Sequence, residues 1–401
     1  MKYPHLLAAA VAVLLVIAIV AMVTHEAREY EAENERSTAQ LFFPQKITGS
    51  ALQRLAFKMG HYLPIYGSSE LGSYELQKRV QTKPGDFFIN APTGFKAYPV
   101  GRGGTTPLVM LQELAAAGPQ VRGHKVVIVL SPNWFAGPLN VSNYEGNATL
   151  LHTGSLLFGR FSPELKHDAA RRLAQFPAPL EKSELLKTAT AFAASDVRWQ
   201  RDLSRLLNPM GRGWLFSLQV MDNFETVRRM LDPTRHLAKV QPEQRRVVNW
   251  PEEIMNAESV SDVEASWVGH DPESGEPVVN PHPSAPLKMR KKPGTVQFES
   301  SEVWGDYDLL LRTLHELGAK ALVLSVPMDG PIEDKNNVPF ARRDVYYQRV
   351  RQMAAKYGYP ARTFEEHEYD GNFLIEHVSH LTDKGWLFFD QVIDAFYHDK
   401  S

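Results

Sequence analysis

The chain has 401 residues, 43% of them apolar and 10% aromatic, which is enough for one large domain or two smaller ones. Its 44 lysines and arginines against 46 aspartates and glutamates give a net charge of −2, so we expect no nucleic-acid partner. The lack of cysteine excludes a disulfide scaffold, cysteine nucleophiles and cysteine-ligated metal centres.

The N-terminal segment predicts a membrane anchor. Residues 6–23 form an unbroken apolar run that spans roughly 27 Å as a helix, close to the thickness of a bilayer core. This length favours a retained transmembrane helix over a cleaved signal peptide. Lys2 precedes the run, whereas glutamates outnumber arginines just after it. The positive-inside rule therefore places residues 1–5 in the cytoplasm, and the stalk at 24–60 with all that follows on the periplasmic or extracellular side of the cell membrane.

From residue 61 onward, short apolar runs alternate with helical patterns. The sequence predicts strands at 63–66, 87–89, 126–130, 321–326 and near 362, and helices at 73–80, 105–117, 307–317, 344–356 and 382–397. This alternation is typical of a doubly wound, mostly parallel α/β sheet. Residues 162–233 show amphipathic helices without a convincing strand, and residues 235–300 predict loop. We therefore expect one domain over 61–401, with a helical insertion at about 150–300.

Four polar motifs follow predicted strands or lead into a helix, where open α/β sheets bind their ligands. Gly67–Glu70 and Gly101–Thr105 follow the first two strands, Ser131–Phe135 follows the third, and His380–Trp386 leads into the last helix. A serine at such a turn is a candidate nucleophile, and a histidine nearby is a candidate general base. The glycine loop and a side-chain amide can stabilise an oxyanion. Each motif alone is equally compatible with an ordinary turn, loop or structural histidine.

Together and in this order, the four motifs resemble those of the DltD family, the D-alanine transfer proteins, and the anchor and chain length match as well. The resemblance covers nearly the whole chain and implies a fold similar to the SGNH (GDSL-like) hydrolases. It implies that Ser69 is the nucleophile and His380 the base, and that Gly103, Gly104 and Asn133 form the oxyanion hole. The family acts outside the membrane in D-alanylation of lipoteichoic acid or related envelope polymers.

The resemblance also implies the partners. We expect a D-alanyl donor, an anionic envelope polymer as acceptor, and a membrane-bound O-acyltransferase that exports the D-alanyl group. No cofactor and no metal are expected. Two alternatives stay open: a non-catalytic accessory module that binds a D-alanyl carrier or polymer, and an esterase that acts on an unrelated envelope ester.

Two positions depart from the family pattern. Asn133 stands where the family usually has glutamine, and His377 stands where SGNH hydrolases place an aspartate three residues before the catalytic histidine. Because a triad is defined by geometry rather than by sequence position, we expect Glu376 to replace that aspartate. A serine–histidine dyad, or a role for Asp383 or Asp370, remains open.

Two further features have alternative interpretations. A metal site is a rival explanation for the crowded stretch Glu365, Glu366, His367, Glu368, His377 and His380. Basic residues in and near the insertion are expected on solvated surfaces, with binding of an anionic polymer as the alternative: Arg201, Arg205, Arg228, Arg229, Arg245, Arg246 and the cluster at 288–292.

Overall fold

The computed structural model of the chain describes residues 4–33, 50–71, 80–231, 243–270, 277–279, 296, 298–375 and 380–400. The first half contains α1 (Pro4–Glu33), α2 (Ser50–Met59), β1 (Tyr62–Tyr66), α3 (Pro84–Phe87), β2 (Lys96–Val100), α4 (Pro107–Ala117), β3 (Lys125–Leu130), α5 (Val141–Asn147), α6 (Leu150–Phe158), α7 (Pro163–Leu173), α8 (Pro177–Leu180), α9 (Glu184–Ala193), α10 (Arg198–Leu206) and α11 (Asn208–Met230). The second half contains α12 (Trp250–Ala265), β4 (Trp267–His270), β5 (Pro277–Val279), α13 (Val303–Leu317), β6 (Lys320–Ser325), α14 (Gly330–Lys335), α15 (Phe340–Lys356), β7 (Ala361–Arg362), β8 (Leu374–Ile375), β9 (His380–Leu381) and α16 (Asp383–Tyr397).

The central sheet has five parallel strands in the order β2-β1-β3-β6-β7. The chain runs from β1 to the edge strand β2 and then returns past β1 to form β3. The strand order therefore reverses between β1 and β3, and such a switch point opens a crevice at the carboxyl ends of the strands. The predicted doubly wound α/β architecture is confirmed.

Both faces of the sheet are covered, and β3 shows why. Its side chains alternate between two hydrophobic clusters: Val126 and Ile128 pack with the α4 and α13 side, whereas Val127 and Val129 pack with the α16 side. A continuous β-branched run is what a strand buried on both faces requires. The sheet is thus a rigid platform whose carboxyl edge is free to carry a site.

Two sequence predictions are wrong. Residues 87–89 are not a strand: Pro84 opens the short helix α3, and the Phe88 ring stacks on Phe95 with ring centroids 4.4 Å apart. The second strand is β2 instead. Residues 235–300 are not all loop, since they include α12 and the antiparallel pair β4–β5. Glu252 and Glu253 lie in the first turn of α12, where acidic side chains favour helix formation. The predicted helix at 73–80 lies almost entirely outside the described residues.

Helix α1 has an exposed apolar part, and buried residues toward its C-terminal end. Among the described residues, α1 alone is long and apolar enough to cross a membrane. Most of its apolar side chains from Leu6 to Met22 are exposed, whereas Thr24 and Ala27 are buried, and the helix packs against α11. The change from exposed to buried side chains falls at the end of the predicted membrane segment.

Helix α2 is fixed to the insertion. The carboxylate of Asp222 on α11 accepts a hydrogen bond from the backbone N–H of Ala51 at 2.7 Å, which satisfies a free donor in the first turn of α2. The anchor, the lead-in helix and the insertion therefore form one packed unit beside the sheet.

Candidate active site

Ser69 and His380, 311 positions apart in the chain, meet at the carboxyl edge of the sheet. The Nε2 atom of His380 lies 3.0 Å from the Oγ atom of Ser69. Ser69 begins a one-turn 3₁₀ helix just after β1, and His380 begins β9. Ser69 is half-buried, and His380 is 7% exposed. This distance is within hydrogen-bond reach, as a serine nucleophile and its general base require.

The neighbouring serine has a different position. Ser68 is buried; its hydroxyl donates to the Arg102 carbonyl at 3.2 Å, and its backbone N–H donates to a Glu70 carboxylate oxygen at 2.6 Å. Ser68 therefore ties the serine turn to the glycine loop. Ser69 is the serine that faces the histidine.

The glycine loop touches the serine turn backbone to backbone. The N–H of Gly67 donates to the Val100 carbonyl at 2.9 Å. Gly101 has φ +138°, and a Cβ atom there would lie 1.9 Å from the Gly67 oxygen. Only glycine permits both this conformation and this approach. Two of the predicted motifs are thus joined at their glycines.

One side chain and one backbone carbonyl of α5 fix the shape of the loop that holds Gly103 and Gly104. The guanidinium of Arg102 donates to the Asn147 side-chain oxygen at 2.5 Å and to the Gly146 carbonyl at 2.7 Å. The Asn147 amide donates in turn to the Gly103 carbonyl at 3.3 Å. The loop is therefore held by a charge-assisted network, which preorganises its backbone.

Asn133 lies in a 3₁₀ turn directly after β3, and its side chain is exposed. Because β3 is the neighbour of β1, Asn133 and Ser69 share the same edge of the sheet. A small cavity beside Asn133 is also lined by Met328 and Asp329, which follow β6. Asn133 thus lies on the same edge of the sheet as Ser69, and its part in an oxyanion hole stays a prediction.

Asp383 and Asp370, the two alternatives to Glu376 as the acid of the triad, form hydrogen bonds with residues other than His380. One carboxylate oxygen of Asp383 accepts hydrogen bonds from the N–H groups of Gln81 and Thr82, both at 2.8 Å. Asp370 lies 2.8 Å from the Nδ1 atom of His367. Glu376, like His377, lies outside the described residues, so its role stays a prediction.

Glu70 is a buried carboxylate beside Ser69 to which the sequence analysis assigns no role. Its side chain is buried, and burial raises the pKa of the carboxyl, against the lowering effects of its backbone hydrogen bonds and of the charge of His380. A Cβ atom at Gly67 would lie 2.7 Å from the Glu70 carboxylate, so Gly67 leaves room for it. The sequence signal that could have revealed it is the position of Glu70 directly after the candidate nucleophile Ser69. The charge of His380 thus acts on the Glu70 carboxyl, which is a buried carboxylate in the serine turn.

The crowded acidic stretch does not form a metal centre in the described part of the chain. Each of its described members before β8 has another partner: Glu365 with Arg351, Glu366 with Arg362, His367 with Asp370, and Glu368 with Arg343. No group of three possible ligands converges among the described residues.

A parallel α/β sheet that pairs a serine and a histidine beside a glycine loop has the side-chain arrangement that serine hydrolases and acyltransferases use. The profile of the DltD family, described as DltD protein, matches residues 40–398. The chain belongs to this family, which confirms the resemblance seen in the motifs.

Two curated relatives align with nearly the full chain. Protein DltD of Bacillus subtilis (strain 168) is 26% identical over 369 residues, which cover 90% of this chain and 89% of the relative. Protein DltD of Staphylococcus aureus (strain NCTC 8325 / PS 47) is 23% identical over 395 residues, which cover 97% of this chain and 94% of the relative.

Proposed function

We propose that this chain is a membrane-anchored serine acyltransferase or esterase that acts in D-alanylation of lipoteichoic acid or a related envelope polymer. The observation that carries the chemical part is the 3.0 Å contact between Ser69 Oγ and His380 Nε2. The D-alanyl part rests on membership of the DltD family.

The first half-reaction transfers the D-alanyl group to the protein. Ser69 Oγ attacks the carbonyl carbon of the donor ester or thioester while His380 Nε2 takes the hydroxyl proton. The negative charge on the carbonyl oxygen is stabilised by the N–H groups of Gly103 and Gly104 and by the Asn133 amide. The intermediate then collapses, the bond to the carrier breaks, and the proton on His380 passes to the leaving carrier atom. The product is a D-alanyl ester of Ser69.

The second half-reaction regenerates the serine. A hydroxyl of the polymer, or water, gives its proton to His380 and attacks the same carbonyl carbon. Collapse breaks the ester bond to Ser69, whose oxygen takes the proton back. Glu376 is the proposed orienting acid for the histidine, and Glu70 is a second carboxylate near it. Acyl transfer rather than hydrolysis requires that the polymer hydroxyl, and not a water molecule, occupies the position from which the ester carbonyl is attacked.

The location follows from α1. We place residues 1–5 in the cytoplasm, 6–23 in the membrane and the domain at 61–401 outside, with the insertion at about 150–300 next to the anchor. The exposed apolar face of α1 and the buried Thr24 and Ala27 support this boundary. An extracytoplasmic domain needs a D-alanyl group exported to it, and a membrane-bound O-acyltransferase is the proposed partner.

Labelling with a fluorophosphonate probe tests the proposed nucleophile. The full chain in detergent is expected to label at Ser69, and Ser69→Ala is expected to abolish labelling. Ser68→Ala is the matched control: it removes the hydrogen bond to the Arg102 carbonyl, worth about 1 kcal/mol, so labelling should slow by no more than about tenfold. Glu376→Gln and Glu70→Gln, measured side by side, identify the carboxylate on which the rate depends.

The same experiment separates the alternatives. An unreactive Ser69, together with full cellular D-alanylation by Ser69→Ala, would favour a non-catalytic binding module. A reactive Ser69 that cleaves acetyl esters and leaves D-alanyl esters intact would favour an unrelated envelope ester as substrate.

A further inference from the structure

A basic cleft lies in the helical insertion, apart from the serine site. It encloses about 860 Å³ between the end of α6 and helices α7, α9, α10 and α11. Its volume is within the range of small-molecule binding sites, yet its walls are strongly charged. Six cationic side chains line it against two carboxylates, Glu164 and Asp202; the cations are Arg160, Lys166, Arg198, Arg201, Arg205 and Arg212.

Much of this positive charge is not neutralised. Within the part of the chain that the structure describes, Arg160, Lys166 and Arg198 form no ion pair, and Asp202 is already engaged with Arg205 at 2.8 Å. Burial and the charge of Arg212 lower the pKa of Lys166 to about 8, partly offset by Glu316. Cations held this close repel one another, and an anion in the cleft would relieve that repulsion.

Other arginines of the insertion differ from those in the cleft. Arg228 and Arg229 both pair with Glu225, at 2.6 and 2.8 Å, and Arg246 pairs with Glu253. All three are charge-balanced; Arg228 is exposed, as the sequence interpretation expected, whereas Arg229 is buried, and Arg246 lies in the segment before α12 rather than in a helix. In the described part of the insertion, the cleft therefore groups several unpaired cations, and the basic cluster at 288–292 lies outside the described residues.

The cleft is connected to both the site and the anchor. Helix α6, whose nine residues span about 14 Å, joins Phe158 at the cleft to the turn after Asn147, the residue that holds the glycine loop. Helix α11, which contributes Asn208 and Arg212 to the cleft, packs along α1. A chain of phosphodiesters bound in the cleft therefore lies one short helix from the loop network of the serine site.

We propose that this cleft binds phosphodiester groups, and that it holds the phosphate backbone of an anionic, glycerol phosphate-type polymer whose hydroxyls receive the acyl group. The inference deepens the proposed function and rests on it for the role of the bound polymer. Binding of the phosphodiester itself requires no reaction at Ser69. The proposed binding in the cleft and the proposed serine chemistry can therefore be refuted independently of each other.

Binding of a fluorescent oligo(glycerol phosphate), which carries no D-alanine, tests the cleft in the full chain reconstituted in neutral phosphatidylcholine nanodiscs. We expect saturable binding that weakens with salt, at least tenfold loss in Lys166→Gln and Arg198→Gln, and no loss in Ser69→Ala. Arg228→Gln removes one exposed charge from α11 outside the cleft, as Arg198→Gln does within it, and is expected to bind as the wild type does. Unaltered melting temperatures in Arg198→Gln, an exposed position, show that the fold is kept.

Competition identifies the source of the phosphodiester. Monomeric dihexanoyl-phosphatidylglycerol that displaces the oligomer at equal phosphate concentration would assign the cleft to a lipid headgroup rather than to the polymer. Equal competition by inorganic phosphate, or equal binding by the cleft variants and Arg228→Gln, would overturn the proposal. Loss of labelling at Ser69 with binding retained would overturn only the proposed chemistry.

Discussion

Substituting Gly101 by alanine tests whether the close approach of the two glycine turns shapes the site. Two costs add at this position. A non-glycine residue at φ +138°, a conformation that side chains rarely adopt, costs about 1–3 kcal/mol. The new Cβ would also lie 1.9 Å from the Gly67 oxygen, and real contacts are not shorter than 3.0 Å, so that carbonyl must move by about 1 Å. Because Gly67 leads directly into Ser68 and Ser69, the displacement reaches the nucleophile.

A misplacement of about 1 Å typically costs on the order of 100-fold in rate. We therefore expect fluorophosphonate labelling of Gly101→Ala to slow by about that factor, with a lower melting temperature. Gly123→Ala is the matched control, since Gly123 has φ +77° and no atom within 4 Å of the added Cβ. It should lose a few degrees in melting temperature and label at the normal rate. Normal labelling of Gly101→Ala would refute the role assigned to this contact.

Three further substitutions test the surroundings of the site. Asn147→Ala removes hydrogen bonds that hold Arg102 and the glycine loop, each worth about 1 kcal/mol, so labelling should slow about tenfold or more; an unchanged rate would contradict the network. Burial raises the pKa of Glu113 to about 8, so the folded chain keeps a proton that the unfolded chain loses above about pH 4.5. The free energy of unfolding should therefore fall by about 1.4 kcal/mol per pH unit between these values, and this part of the pH dependence should disappear in Glu113→Gln. A difference in unfolding free energy between the wild type and Glu113→Gln that is the same at every pH, measured with urea, would contradict the prediction. Arg343→Met leaves the buried Glu368 carboxylate without its 2.8 Å partner and should cost about 3–5 kcal/mol by urea unfolding, and a loss below about 1 kcal/mol would disprove the pairing.

The sheet was predictable from local patterns plus topology, whereas the pairing of Ser69 with His380 was expected only from the resemblance to the DltD family. The β-branched run at 126–130 marks a doubly buried strand, and parallel strands present their carboxyl ends at one edge. Motifs that follow different strands therefore come together even when hundreds of residues separate them. Ser69 follows β1, whereas His380 lies in the separate β8–β9 pair just before the last helix, so the order of strands in the main sheet does not by itself predict their contact.

The second strand was not predictable in the same way. Phe87, Phe88 and Ile89 have strand-like composition, but short apolar runs are ambiguous between helix and strand. Pro84 and the stacking of Phe88 on Phe95 decide for a helix and turn, and the stacking depends on a tertiary contact. Residues 96–100 form the strand instead.

Helix α12 shows how an apparent loop contributes to the site. Its Glu264 carboxylate accepts the backbone N–H of Asp383 at 2.7 Å, and its Ser261 hydroxyl accepts the N–H of Lys384 at 2.9 Å. These bonds satisfy free donors at the start of α16, three residues after the histidine. Local periodicity cannot reveal a cap supplied from more than a hundred residues away.

The most direct measurement is mass spectrometry of the Ser69 peptide after brief incubation of the full chain with a D-alanyl thioester and acid quenching. A covalent acyl intermediate predicts that this peptide gains the mass of one alanyl residue, that hydroxylamine removes the gain, and that Ser69→Ala and His380→Ala proteins do not show it. Turnover of the donor by the wild-type protein without any acylated Ser69, or equal turnover by Ser69→Ala, would contradict the account.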